Sequence, residues 1–161
     1  MRLIVATSRS IPAGVAMLIV DAALRVHRLV PTEIVCGKAG GRDAPDTVAE
    51  LWARERRVTV RPVWADWSQP EGGIPDRNER MTRRATHMVA VWDGKSVSTG
   101  GLIDQARRRG LAVIVLHVEA SEVTAARADE RRRELALEKR LHSAGRRDPR
   151  PRRRADVRSA A

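Results

Sequence analysis

A chain of 161 residues suits one domain, and 42% hydrophobic residues can build a core in which four tryptophans are the sole aromatics. One cysteine, Cys36, excludes an internal disulfide framework and a cysteine-rich zinc site. The net charge of +11 is densest at residues 121–161, with 13 basic and 7 acidic side chains, against 18 and 13 over residues 1–120.

Arg2 to Thr7 is a short apolar run that turns polar at Thr7-Ser8-Arg9. It is too short for a signal-peptide core and suits a buried parallel strand. The apolar stretch from Ile11 to Val20 is shorter than a membrane span and soon meets Asp21 and Arg25, so a cytoplasmic protein with no membrane partner is expected. Pro12 stands near the start of a helical pattern reaching about Val30, with Val15, Leu18, Ile19, Ala22 and Val26 on its predicted core face. Glu33 to Cys36 reads as a second strand, followed by the turn Gly37-Lys38-Ala39-Gly40-Gly41-Arg42-Asp43.

A second helix is predicted from about Ala44 to Arg56, buried through Val48, Leu51 and Trp52, with Asp43 able to cap it. Val58 to Trp64 alternates and is valine-rich, a third strand. Asp66 to Pro75 is a loop, and Pro75 suits the first turn of a helix to about Arg84. His87 to Trp92 forms a fourth strand, Asp93 to Ser98 a polar turn, and Thr99 to Arg109 a helix closed by Gly110. Leu111 to Val118 completes five strands.

Strands alternating with helices predict an α/β Rossmann-like three-layer sandwich with a mainly parallel five-stranded sheet over residues 1–120. A polar helix with a thin apolar face (Val123, Leu135, Leu137, Leu141) is expected over 121–143, and an Arg-rich disordered tail over 144–161. Such a tail suits solvation. Lacking aromatics, it would offer nucleic acid only weak, nonspecific phosphate contact.

Open parallel sheets bind ligands at the carboxyl ends of their strands, where the strand order reverses. Three polar turns fall at such ends: Thr7 to Arg9, Gly37 to Asp43, and Asp93 to Gly101. Glycines admit close approach of a ligand to the backbone, and helix N-termini favour anions such as phosphate. Each turn also has a plain reading as a tight turn or a capped helix start.

The set Thr7-Ser8-Arg9, Gly37 through Asp43, Arg77-Asn78-Glu79-Arg80-Met81 and Asp93-Gly94-Lys95-Ser96, with Ala65-Asp66-Trp67 ahead of the Arg-Asn pair, resembles the SLOG superfamily. The nearest likeness is to its YspA/YpsA-related branch, whose function is largely uncharacterised. The resemblance spans roughly residues 2–118. It implies a Rossmannoid fold and a site for a nucleotide or nucleotide-derived, ADP-ribose-like ligand. Ser8 and Arg9 would then line the pocket after the first strand, and Gly37, Gly40, Gly41 and Asp43 would form a second wall. Arg77 and Asn78 would reach across from a helix start, Arg77 with a planar fork of donors. Gly94, Ser96 and Thr99 would hold the phosphate.

The family usually reads Gly-Thr where this chain has Ser98-Thr99, with glycines following at Gly100 and Gly101. The superfamily's phosphoribohydrolases place a catalytic glutamate three residues after that threonine. Leu102 stands there and cannot act as acid or base, so binding or sensing is expected ahead of hydrolysis. His27, His87, His117 and His142 have no metal-like spacing, and no metal is expected. His27 is assigned to a helix face, Cys36 to a buried structural role, and Trp64 and Trp92 to core packing, with nucleobase stacking by Trp64, Trp67 or Trp92 as the sharper reading. The ligand's identity and any homo-oligomer are left open.

Overall fold

The computed structural model describes residues 1–38, 47–68 and 73–144. In chain order the elements are β1 (Arg2–Thr7), α1 (Ala13–Val26), β2 (Glu33–Lys38), α2 (Val48–Glu55), β3 (Thr59–Trp64), α3 (Gly73–Arg84), β4 (His87–Trp92), α4 (Val97–Arg108), β5 (Ala112–His117) and α5 (Ala120–Ala144). The five strands form one sheet in the order β3-β2-β1-β4-β5, and every pairing is parallel. The Rossmann-like three-layer α/β class read from the sequence is the observed one, and the sheet is parallel throughout.

Why these residues make this sheet follows from burial on both faces. Leu3, Ile4 and Val5 in β1 and Met88 to Val91 in β4 are all buried, which demands continuous apolar runs rather than alternation. Successive side chains point to opposite faces. Leu3, Val5, Ile34, Cys36, Val89 and Val91 meet α1 and α2, while Ile4, Val35, Val63, Met88 and Ala90 meet α3 and α4. The edge strand β3 carries Arg61 and Pro62 outward, a proline position that costs no ladder bond in an outer strand.

Several predicted details shift. The first helix ends at Val26, not Val30, because Arg28 adopts φ 51° and the chain turns back at Leu29 N–H to Leu24 carbonyl. His27 is therefore the residue that closes α1. The core face of α1 is Ala16, Val20, Ala23 and Leu24, whereas Leu18 and Val26 are 69% and 76% exposed. Small alanines let the helix sit close on the sheet; of the predicted stripe Val15 and Ile19 pack against this core, while Leu18, Ala22 and Val26 are exposed.

The second helix starts at Val48, capped by Thr47 rather than by Asp43, which lies outside the described residues. Thr47 Oγ1 accepts from Glu50 N–H (3.3 Å), and Glu50 returns the bond to Thr47 N–H (2.7 Å), a capping box. Trp52 and its neighbours Ala49 and Ala53 are buried, with Trp52 Nε1 donating to Asp21 of α1 (2.8 Å). The third helix begins at Gly73, before Pro75, and the fourth at Val97, before Thr99. Trp64, expected in the core, is 37% exposed with the Lys38 ammonium 5.8 Å from its ring centre.

The chain divides into two compact units, Met1–Ala126 and Arg127–Ala161. The second contains most of α5, where Asp129 pairs with Arg132 and Arg133 one turn on, and Leu135 and Leu137 are exposed. Of the predicted disordered tail over 144–161, Ala144 ends α5 and residues 145–161 lie outside the described residues. Among the described residues no helix is long and apolar enough to cross a membrane.

Candidate functional site

The strand order reverses between β1 and β4. From β1 the chain passes to α1 on one face of the sheet, and from β4 to α4 on the other. The two departing loops diverge and leave a crevice beyond the strand ends, the usual ligand position in such sheets. A cleft of about 520 Å³ occupies it, within the range of small-molecule sites. Its walls are the β1 loop from Thr7 to Ala13, Cys36 and Gly37 of β2, the start of α2, Arg77 and Met81 of α3, and Ser98, Thr99 and Leu102 of α4.

The two loops are tied together by one carboxylate. Asp93 Oδ1 accepts from Ser8 Oγ (3.0 Å) and from the N–H groups of Lys95 (3.0 Å) and Ser96 (2.8 Å), while Oδ2 accepts from Ser10 Oγ (2.6 Å). Asp93 N–H in turn donates to Ser8 Oγ (3.2 Å). The Ser10 hydroxyl, then the backbone donors of Ser96 and Lys95 and the Ser8 hydroxyl, hold the Asp93 carboxyl far below the usual range, against a weaker opposing push from burial. A carboxylate fixed in this way is a structural clasp across the switch point.

Two arginines line the cleft, exposed Arg9 and the more deeply set Arg77. Arg77 Nε and Nη2 both donate to Asn78 Oδ1 (3.2 and 2.8 Å), and Asn78 itself is 4% exposed. Burial lowers the Arg77 pKa, partly offset by the Cys36 thiol nearby, but an arginine remains charged through such a shift. The guanidinium packs against Gly37, where a Cβ would come within 2.8 Å of Nε and of Met81 Sδ. The glycine at the end of β2 thus makes room for Arg77 itself.

The helix ends around the cleft are not equivalent. At α2 the capping box places Glu50 on its own N-terminus, and the carboxylate also pairs with buried Lys38 (2.9 Å). By contrast α1 and α4 have no side-chain cap bond and no acidic residue in their first turns. Pro12 and Ala13 from the one, and Ser98 and Thr99 from the other, line the cleft. Their positive dipole ends favour an anion there, and at α4 the Asp93 carboxylate already accepts from the N-cap N–H of Ser96.

The predicted site residues fall into separate groups. Ser8, Arg9, Gly37, Arg77 and Thr99 line the cleft. Ser8 is 1% exposed with its hydroxyl committed to the clasp, and Thr99 Oγ1 lies 3.1 Å from Ser96 Oγ. Asn78 and Ser96 line a neighbouring groove between α3 and α4 instead. Gly94 is in neither lining set. It turns the chain at φ +74°, with a Cβ position 2.5 Å from His117 Nε2. Gly40, Gly41 and Asp43 lie outside the described residues.

Cys36 is 1% exposed in the cleft floor. Trp64, Trp67 and Trp92 are not among the cleft-lining residues; Trp92 donates from Nε1 to Ser96 carbonyl (3.1 Å). Leu102 is 5% exposed and contributes an apolar wall. Among the described residues no group of three or more His, Cys, Asp or Glu side chains could hold a metal. Sequence reasoning missed Asp93 as the organiser of the site. Its bonds to Lys95 and Ser96 N–H follow the usual Asx-turn pattern, but its serine partners lie 83 and 85 residues away.

No protein-family model matches this chain, and no curated protein matches it at a significant level.

Proposed function

We propose that the switch-point cleft binds a nucleotide or nucleotide-derived phosphate, and that the protein is a binding or sensing domain akin to the SLOG superfamily. One observation carries the reading. A half-desolvated guanidinium, Arg77, faces a crevice onto which two uncapped helix starts also open. Positive charge, two helix dipole ends and partial exclusion of water together favour an anion. The apolar remainder of the wall, from Val5, Ile11, Met81 and Leu102, suits a sugar or base more than a bare inorganic ion.

Binding rather than turnover is the better reading because the cleft lacks an acid–base pair among the described residues. Asp93 lies in the clasp with its carboxylate saturated by donors, and Leu102 occupies the position of the hydrolases' glutamate.

The test is calorimetric titration and thermal melting with AMP, ADP and ADP-ribose, on the wild type and on Arg77→Ala. At least one nucleotide should raise the melting temperature, and Arg77→Ala should weaken its binding by at least about tenfold. Absence of binding across the panel, or binding indifferent to Arg77, overturns the proposal.

A further inference from the structure

The sheet has two edges, β3 and β5, and they differ in kind. β3 carries Arg61, bonded to Glu33 of β2, and Pro62, which has no N–H to offer. Charge and proline are the usual guards of an edge strand. β5 lacks both, since Leu111 to Val118 contains no Lys, Arg, Asp, Glu or Pro. Val113 to Leu116 are apolar yet only partly buried, whereas their register partners in β4, Met88 to Val91, are buried.

The inner side of β5 is fixed by β4. Ala112 N–H donates to the Thr86 carbonyl (3.2 Å) and Val118 N–H to the Trp92 carbonyl (2.9 Å). In a parallel pair, alternate residues turn both backbone groups toward the same neighbour. The N–H and C=O of Val113, Val115 and His117 therefore point away from the sheet. Backbone groups offered in this way accept another strand.

The flanking charges select which strand. Exposed Arg107, Arg108 and Arg109 stand just before β5, and exposed Glu119 and Glu122 just after it. Within one copy Glu119 lies 3.5 Å from His117 Nδ1 and Arg109 lies 3.9 Å from Glu79, contacts loose enough to leave both within reach of a further partner. Antiparallel pairing with a second copy lays the acidic end of each β5 against the basic end of the other, whereas parallel pairing would set like charges together. The uncharged strand between them lets two chains of net charge +11 meet without opposing cations.

We infer that β5 is a dimerisation edge, at which two copies pair antiparallel about a two-fold axis through Val115 and join their sheets into one. Val115 then faces its own copy and Val113 faces His117, each pair exchanging both N–H···O bonds. The axis is normal to the sheet, so each face stays on its own side. Val113 and Val115 continue the layer of α3 and α4, and Ile114 and Leu116 that of α1 and α2. Glu119 of one copy comes opposite Leu111 of the other, next to Arg109. Because the strands run oppositely, the two switch-point clefts open at opposite ends of the joined sheet.

The experiment is sedimentation velocity on the full chain from about 1 to about 100 μM, since dimer population follows protomer concentration. The wild type should dimerise with a Kd of about 10 μM or tighter. Val115→Pro should leave a monomer, because proline removes an outward N–H without breaking a bond to β4; circular dichroism and melting check that it folds. Glu119→Arg should raise the dimer Kd by about tenfold or more, and adding Arg109→Glu should restore it to within about threefold. That rescue acts through exposed side chains and tests the interface whether or not the proline variant folds.

A wild type that stays monomeric across the range overturns the inference. So does a dimer indifferent to Glu119→Arg or to a folded Val115→Pro. Weakening by Glu119→Arg that Arg109→Glu does not relieve overturns the antiparallel pairing.

Discussion

Arg77 and Gly37 form a pair in which the smaller residue positions the larger: Nε of Arg77 lies within 2.8 Å of where a Cβ on Gly37 would be. The arginine comes from α3 and the glycine from the end of β2, so the sheet edge itself fixes how deep the guanidinium sits. The atoms crowding position 37 are the far ends of two flexible side chains, Arg77 and Met81. Gly37→Ala should therefore cost at most about 1 kcal/mol of stability, since those ends can move. Nucleotide affinity should fall by about tenfold, because the cation is displaced. Urea unfolding and calorimetry separate the two effects, and an unchanged affinity would show that Arg77 is placed by other means.

The Asp93 clasp predicts a pH dependence with a definite sign. Its folded pKa lies below the unfolded value of about 3.9, so the stabilisation is complete above that value and is lost as pH falls toward the folded pKa. Asp93→Asn should destabilise the protein by about 1–2 kcal/mol at pH 7, allowing for solvent screening. That difference should shrink steadily in urea titrations below about pH 4. A difference that stays constant down to pH 2 would assign the loss to geometry rather than charge.

Ser8 and Asp93 exchange two hydrogen bonds across the switch point, at 3.0 and 3.2 Å. Ser8→Ala and Asp93→Asn should therefore be non-additive, with a coupling of about 0.5–2 kcal/mol in a double-mutant cycle. Ser10 is exposed, and Ser10→Ala should cost less than Ser8→Ala. Equal costs for the two serines would contradict the clasp as described.

Lys38 and Glu50 make a buried pair in which the carboxylate also caps α2. Glu50→Ala should cost about 3–4 kcal/mol, since it removes the carboxylate of a buried ion pair and opens a helix end together. Combining Lys38→Met with Glu50→Leu should recover much of that loss, as measured by chemical denaturation. A double variant no more stable than Glu50→Ala would place the loss in the cap alone.

Much of the fold was legible because central parallel strands must be apolar on both faces. The bounds of β1 and β4 coincide with their predicted runs, and alternation with helices gave the layer order. The face of α1 was legible only at Val15 and Ile19. Its apolar content from Ala13 to Leu24 is nearly continuous, so no polar side existed to mark the solvent direction. The start of α2 was written in the sequence as Thr47-x-x-Glu50, but the acidic residue at position 43 competed for the role.

At the site, residues local to one loop could be found from turn chemistry. The clasp could not, because its partners meet only after β1 and β4 pair in register from Leu3–His87 to Thr7–Val91. Gly37 lines the cleft and also makes room for Arg77, whereas Gly94 turns the chain beneath His117 and does not line the cleft.

The clasp also bears on how tightly anything could be held. Two loops that would otherwise be ordered by the ligand are already locked to each other through a single carboxylate, before any ligand arrives. The entropy of arranging those walls is then part of folding rather than of association, and residues that never touch the ligand contribute to its affinity. Loosening the clasp should accordingly appear as faster ligand release from an otherwise unchanged set of contacts.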